Sequence, residues 1–238
     1  MRPCCRRPGK ERSRSPEWSD TGERGECMGS IFPYVADEAL RHYDPAYYTH
    51  CQVCRNSGTR VFTAHGTATL AGGIRKKVYA ACAGCIQDAR VQQVDEWATD
   101  PLIEAYVQGY LKGAEPAAVR QLQSELKDKL RRTPHDPPQV QRTDWPMCCG
   151  DLTKYTGSPQ KRTEWQALTQ TAFGWRRGEI LKPDPGDEDE PDDEWPEWNR
   201  WLEAFIPVDS GDELPSLGAF AVFRCLRCGK RYWTFQCT

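Results

Sequence analysis

Between positions 60 and 80, apolar and polar residues alternate in two short runs. Arg60-Val61-Phe62-Thr63 and Lys76-Lys77-Val78-Tyr79-Ala80 carry the two-residue period of half-buried strands, with Gly66, Gly72 and Gly73 in the connection. Downstream the period becomes helical. Asp100-Pro101 is an N-cap and first-turn pair, and Leu102, Tyr106 and Tyr110 recur every four residues beside Ile103 and Val107. Gly113 closes that helix. A second helix is predicted from near Pro116 to about Arg131, with Val119, Leu122, Leu126 and Leu130 as the apolar stripe of an amphipathic pair. Thr133-Pro134 stops it, and Pro137-Pro138 keeps the chain extended. Glu164 to Trp175 reads as a short helix with Trp165, Leu168 and Phe173 inward, and Trp195, Trp198, Trp201, Leu202 and Phe205 as another. Phe220 to Arg224 and Tyr232 to Phe235 read as the two strands of a final hairpin. The predicted class is α+β: hairpins around a helical middle, in one compact domain.

Cysteine spacing adds the chemistry. Cys51-Gln52-Val53-Cys54 and Cys82-Ala83-Gly84-Cys85 are two Cys-x-x-Cys pairs flanking the first hairpin. A two-residue spacer lets one tight turn present two thiolates to one ion, and zinc takes four such ligands in a tetrahedron. The 27 residues between the pairs exceed the usual roughly 15–20 and leave room for the hairpin and a long loop. This is the plan of a zinc ribbon: knuckle, strands, knuckle. Cys225-Leu226-Arg227-Cys228-Gly229, between the last two strands, forms a single knuckle hairpin, with Cys148-Cys149 and Cys237 as its plausible partners. Two Zn2+ sites are expected: Cys51, Cys54, Cys82 and Cys85 in the first, Cys148, Cys149, Cys225 and Cys228 in the second. Adjacent cysteines on one ion impose backbone strain. A second site holding only Cys149, Cys225 and Cys228 plus water would be open and able to catalyse.

Charge and composition set the organisation. Residues 1–27 carry seven Arg/Lys and five Asp/Glu with Trp18 as the one large apolar side chain, too little to order themselves. The globular pattern begins just after Met28, so residues 1–28 are read as a disordered tail or an over-extended start, and Cys4, Cys5 and Cys27 are not taken as ligands. Within 29–238 the expected parts are a ribbon (29–90), a mainly helical stretch (91–183), an acidic loop (184–197) and a knuckle hairpin (198–238). The acidic loop holds nine Asp/Glu and no base, so with the +2 of residues 1–27 also set aside the formal net charge of −2 leaves about +5 for the remainder. No apolar run suggests a membrane span or secretory signal, which places the chain in the cytoplasm, where twelve cysteines point to metal rather than disulfides. No Gly-rich phosphate loop, serine nucleophile elbow, His-Glu-x-x-His or His-x-Glu occurs, so an enzyme is not expected. His50 and His65 are read as surface or ribbon residues. Arg55, Arg60, Arg75, Lys76 and Lys77 near the first site leave nucleic acid as a possible partner, against the acidic overall balance.

One ordered set of patches resembles a known family. It runs Phe32-x-Tyr34, Cys51-x-x-Cys54, Cys82-x-x-Cys85-Ile86, Arg132-Thr133-Pro134, Trp145-x-x-Cys148-Cys149-x-Asp151-x-x-x-Tyr155-x-Gly157 and Phe223-x-Cys225-x-x-Cys228-Gly229-Lys230. The chain is similar here, from Gly29 to its C-terminus, to the CbrC family of bacterial cytosolic proteins linked to colicin tolerance. The resemblance implies a non-enzymatic zinc protein that acts by binding another protein. Departures lie at Val35-Ala36-Asp37, where the family has a His-Pro-Asp-Pro run, at Cys148, where it tends to have His, and at Thr153, where it tends to have Cys. The acidic stretch 184–197 looks like an insertion.

Overall fold

The computed structural model describes residues 28–40, 48–93, 99–134, 145–159, 161–175 and 220–235. The N-terminal tail, the acidic loop, the helix expected from Trp195 and Cys237 lie outside the described residues. The protein is α+β. The first hairpin pairs β1 (Val61–Thr69) with β2 (Arg75–Cys82) antiparallel, from Val61 opposite Cys82 to Thr69 opposite Arg75. A short β3 (Val91–Gln92) joins the far edge of β1, so β1 is central and β2 is an edge. Between β2 and β3 lies the five-residue helix α1 (Ala83–Gln87).

Gly66, expected in the connection, sits inside β1 at the point where the β1–β2 register shifts. The reason is steric. A Cβ there would lie 2.4 Å from the Gln92 carbonyl oxygen, so β3 can approach only a glycine.

The helical pair forms as patterned. α2 (Thr99–Tyr110) includes Thr99, ahead of the expected Asp100 cap, and α3 (Pro116–Arg131) has Pro116 in its first turn. Leu102, Ile103 and Val107 of α2 meet Leu126 and Leu130 of α3 in the core, with Val119 and Leu122 half-buried beside them. Lys127 ties the helices together, reaching Glu104 at 2.6 Å and Asp100 at 3.1 Å. Tyr110 breaks the stripe. It is 49 % exposed and stacks on Tyr106 with centroids 5.7 Å apart.

The middle of the chain also supplies strands. β4 (Met147–Cys148) and β5 (Asp151–Leu152) form a tight two-stranded turn. β6 (Lys154–Gly157), β8 (Phe220–Arg224), β9 (Arg231–Phe235) and β7 (Phe173–Gly174) make a four-stranded sheet in that spatial order, with β7 parallel to β9. α4 (Arg162–Thr171) is shorter than expected, because β7 takes over at Phe173. Phe173, expected inward, is 54 % exposed, and the Lys230 ammonium lies 3.7 Å from its ring centroid.

β8 is buried on both faces, which accounts for its unbroken Phe-Ala-Val-Phe run. Ala221 and Phe223 face the main core with Trp145 and Tyr155, while Phe220 and Val222 pack on Trp165, Leu168 and Trp233. The N-terminal entry segment belongs to the same body. Phe32, Tyr34 and Val35 are buried, and Tyr34 and Ala36 exchange backbone hydrogen bonds of 2.8 Å with Tyr155.

Candidate metal centres

The eight cysteines named from the sequence fall into two groups of four. Cys51, Cys54, Cys82 and Cys85 form one, Cys148, Cys149, Cys225 and Cys228 the other, and within each group the sulfurs all lie within 4.8 Å of one another. All eight are free thiols. Cys54 and Cys82 have their sulfurs 3.8 Å apart, Cys148 and Cys149 3.7 Å, and Cys148 and Cys228 3.6 Å. Four ligands at a Zn–S distance of about 2.3 Å in a tetrahedron stand about 3.8 Å apart, whereas a disulfide needs about 2.05 Å. The arrangement fits a four-thiolate metal ion and does not fit disulfides.

The two Cys-x-x-Cys knuckles are built alike. At the first, the Cys51 amide donates to the Asn56 carbonyl (3.0 Å) and the Arg55 amide to the Cys51 carbonyl (2.9 Å). At the second, the Cys225 amide donates to the Lys230 carbonyl (2.8 Å) and the Gly229 amide to the Cys225 carbonyl (3.0 Å). The closing residue is left-handed in both, Arg55 at φ +64° and Gly229 at φ +72°.

The other half of each site differs. In the first, Cys82 ends β2 and Cys85 sits on α1, so a strand-to-helix junction takes the place of a second loop knuckle. Gln52, inside the first pair, locks the halves together: its side-chain oxygen accepts from the backbone amides of Tyr79 (2.6 Å) and Ala80 (3.2 Å), and its backbone N–H donates to the Ala80 carbonyl (3.1 Å). No feature of the spacing marks Gln52 for this role. In the second site the vicinal pair needs an unusual backbone. Cys149 adopts φ +54° and Gly150 φ +72°, so consecutive side chains that would otherwise diverge reach one group. This is the strain expected of adjacent ligands.

Surrounding donors suit a negatively charged thiolate cluster. The Cys82 amide approaches the Cys51 sulfur at 3.3 Å and the Arg90 guanidinium the Cys85 sulfur at 3.5 Å. At the second site the Tyr232 hydroxyl donates to the Cys148 sulfur (3.1 Å) and the Arg227 amide to the Cys225 sulfur (3.4 Å). Burial, the largest influence, opposes ionisation of Cys51. The backbone amides of Cys54, Cys82 and Val53 outweigh it together and bring this thiol down to about 7. Burial pushes Cys82 and Cys85 up, as it does Cys148 and Cys149. Cys228 is lowered, because the Lys230 backbone and the neighbouring thiols outweigh its burial.

Asp151 joins the second site to the rest of the fold. Its Oδ1 accepts from Lys129 of α3 (2.8 Å), the Tyr34 hydroxyl (3.0 Å) and the Leu152 amide (2.9 Å), and its Oδ2 lies 3.7 Å from Arg227 of the knuckle. The Gly150 amide donates to the Tyr106 hydroxyl (3.0 Å). Thr153, where a cysteine ligand was conceivable by resemblance, is fully buried, and its hydroxyl donates to the Pro146 carbonyl (2.7 Å) while the Trp145 indole donates to the Thr153 carbonyl (2.7 Å). It holds the loop rather than an ion. His50 lies beside Arg55 and Thr49 and His65 packs edge-on to Tyr79; neither joins the cysteine groups.

Compared with family models, with curated proteins and with solved structures, the chain gives no match. Among the described residues no helix is long and apolar enough to cross a membrane.

Proposed function

We propose that this chain is a non-enzymatic cytosolic zinc-binding protein of the CbrC type. Both ions are structural, and it acts by binding another protein, tolerance to a bacteriocin being the process the resemblance implies. One observation supports the zinc assignment: in each group four thiol sulfurs lie within 4.8 Å of one another, with pairs at 3.6–3.8 Å, a spacing compatible with one tetrahedral ion. A fourfold thiolate shell leaves no position for a catalytic water. Elemental analysis is expected to give two zinc ions per chain. Replacing Cys51 and Cys54 by serine, or Cys225 and Cys228 by serine, leaves one. Two ions retained in either variant overturn the assignment of that site. Cobalt substitution tests closure: a four-thiolate spectrum unchanged by added cyanide supports structural sites, and a shifted spectrum means an open one. Capture of a specific protein from native cytosol by the zinc-loaded chain tests the binding role.

A further inference from the structure

The formal charge of the whole chain hides a local excess. Within residues 48–93 there are six Arg/Lys (Arg55, Arg60, Arg75, Lys76, Lys77 and Arg90) and one acid, Asp88, a balance of +5. Four thiolates around a divalent metal subtract two, leaving +3. Arg90 and Arg55 lie near the cysteines, but the run Arg75 to Lys77 does not. At about 3.3 Å per residue along β2, Arg75 is roughly 23 Å and Lys77 roughly 16 Å from Cys82. Both exceed the screening length of about 10 Å, so these charges do not serve to neutralise the thiolates.

Alternation along β2 places Arg75, Lys77 and Tyr79 on one side of the hairpin, and all three are exposed. The register sets Thr69 opposite Arg75 and Thr67 opposite Lys77. His65 packs edge-on to Tyr79 with centroids 5.5 Å apart, and the Lys77 ammonium lies 5.8 Å from the same ring. The opposite face buries Val78, Ala80 and Ala68 in the core. Charges on an edge strand also discourage edge-to-edge pairing. That purpose needs no aromatic residue 36 % exposed among the cations, as Tyr79 is.

We infer that the Arg75-Lys77-Tyr79-His65 face of the first hairpin binds single-stranded nucleic acid, with phosphates on Arg75 and Lys77 and a base stacked at Tyr79. A groove of positive charge with an interleaved aromatic is the chemistry that holds single strands without reading sequence. This goes beyond the structural role of the metals. Zinc counting tests that role and oligonucleotide titration tests this one, so either can fail alone.

The experiment titrates the full zinc-loaded chain into a labelled single-stranded oligonucleotide of about 16 nucleotides, the upper end of site sizes for one small module. Binding is expected to weaken steeply with salt. Replacing Arg75 and Lys77 together by glutamate, with circular dichroism unchanged, should cost tenfold or more in affinity and flatten the log–log salt slope by about 1.4, roughly 0.7 for each phosphate released. Tyr79→Ala should cost about fivefold or more with the slope unchanged, since stacking releases no counterion, and Tyr79→Phe should restore most of it. Absence of binding at low salt overturns the inference. So does a charge-reversed variant that binds like the wild type, or a loss no larger than that caused by Lys112→Glu on the α2–α3 connection. A duplex bound as tightly rejects the single-strand assignment, and equal competition by polyglutamate would mark the face as a site for acidic protein instead.

Discussion

The two candidate metal centres share one knuckle design and use it for different ends. At the first, Cys51, Cys54, Cys82 and Cys85 span a short stretch of chain, and β1 and β2 pair at seven positions along their length. At the second, Cys148 and Cys228 are 80 residues apart, and the strands joining their neighbourhoods, β6 and β8, pair at three positions only. Loop closure itself separates them little: the extra length costs about 0.8 kcal/mol in the logarithmic treatment. The difference lies in what an ion would add at each. At the first it would reinforce a hairpin that backbone hydrogen bonds define. At the second it would clasp a strained vicinal turn, α3 through Asp151 and Lys129, and the C-terminal hairpin. A metal site contributes most where the chain has least other means of closure.

The largest effect should therefore come from losing the second site. Cys225→Ser with Cys228→Ser should lower the thermal midpoint by about 10 °C or more, at roughly 2–4 °C per kcal/mol for a chain this size. Hydrogen exchange should show protection lost from β6, β8 and β9 and retained in β1 and β2. Cys51→Ser with Cys54→Ser should shift the midpoint less and leave the C-terminal sheet protected. Equal shifts, or loss of protection throughout in both variants, would show that the two centres do not differ in this way.

Release kinetics sharpen the same contrast. Cys51, Cys82 and Cys85 are buried, with Cys54 the exposed member, whereas Cys228 is exposed and Cys148 and Cys149 are half-buried. Under excess chelator one equivalent of zinc should leave faster, and the serine variant of the second knuckle should lack that phase. Uptake should also depend on pH with a definite sign. Cys82 and Cys85 are held above the ordinary thiol value while Cys51 is lowered to about 7. Near neutrality the metal-free first site therefore keeps protons on Cys82 and Cys85, and binding must expel them. Its affinity should rise with pH between about 7 and 9 and fall on acidification through 7, as Cys51 protonates as well. Calorimetry in buffers of different ionisation enthalpy measures the protons released. For the metal-free fold, the depressed Cys51 contributes stability above its ordinary value of 9.0 that is lost as pH falls through about 7.

Asp151→Ala tests the link between the second centre and the body. It leaves the Tyr34 hydroxyl and the Leu152 amide without their acceptor and Lys129 without its counter-ion. The expected cost is about 2–3 kcal/mol, the penalty for stripping partners from part-buried polar groups. Lys129→Met, with its stem still packed, should cost less. A neutral Asp151→Ala would mean that the ion alone holds the clasp.

How far the sequence disclosed this follows the same division. The first hairpin, α2, α3 and the terminal hairpin are local patterns, and period, capping residues and cysteine spacing reveal them. The first cysteine group was legible from the spacing of its two Cys-x-x-Cys pairs, whereas spacing alone offered Cys148, Cys149 and Cys237 to the last pair, and the fold is what brings Cys148 and Cys149 beside Cys225 and Cys228. Features that depend on distant chain were not legible. Gly66 looks like a loop glycine until β3 lies against it. Phe173 fits a helical stripe until β9 draws its backbone into a parallel pairing and turns its ring outward. Gln52, Tyr232 and Asp151 carry no local mark of their roles, since each acts on a partner 27 or more residues away.

The smallest expected effect isolates the shared turn itself. Arg55 and Gly229 occupy the same place in the two knuckles, both left-handed. A side chain in that conformation costs about 1–2 kcal/mol, which glycine avoids. Gly229→Ala should therefore destabilise by about that amount, although a Cβ there would meet nothing closer than 3.6 Å. Arg55→Gly should do the opposite and stabilise by a fraction of it, because a flexible glycine also raises the entropy of the unfolded chain and the Arg55–His50 contact is exposed. Denaturant titration of both variants with zinc bound gives the two values. Opposite signs would establish that one backbone device serves both centres, with the first tolerating strain at Arg55 that the second avoids through Gly229. Equal signs would mean that the resemblance of the two turns ends at their hydrogen bonds.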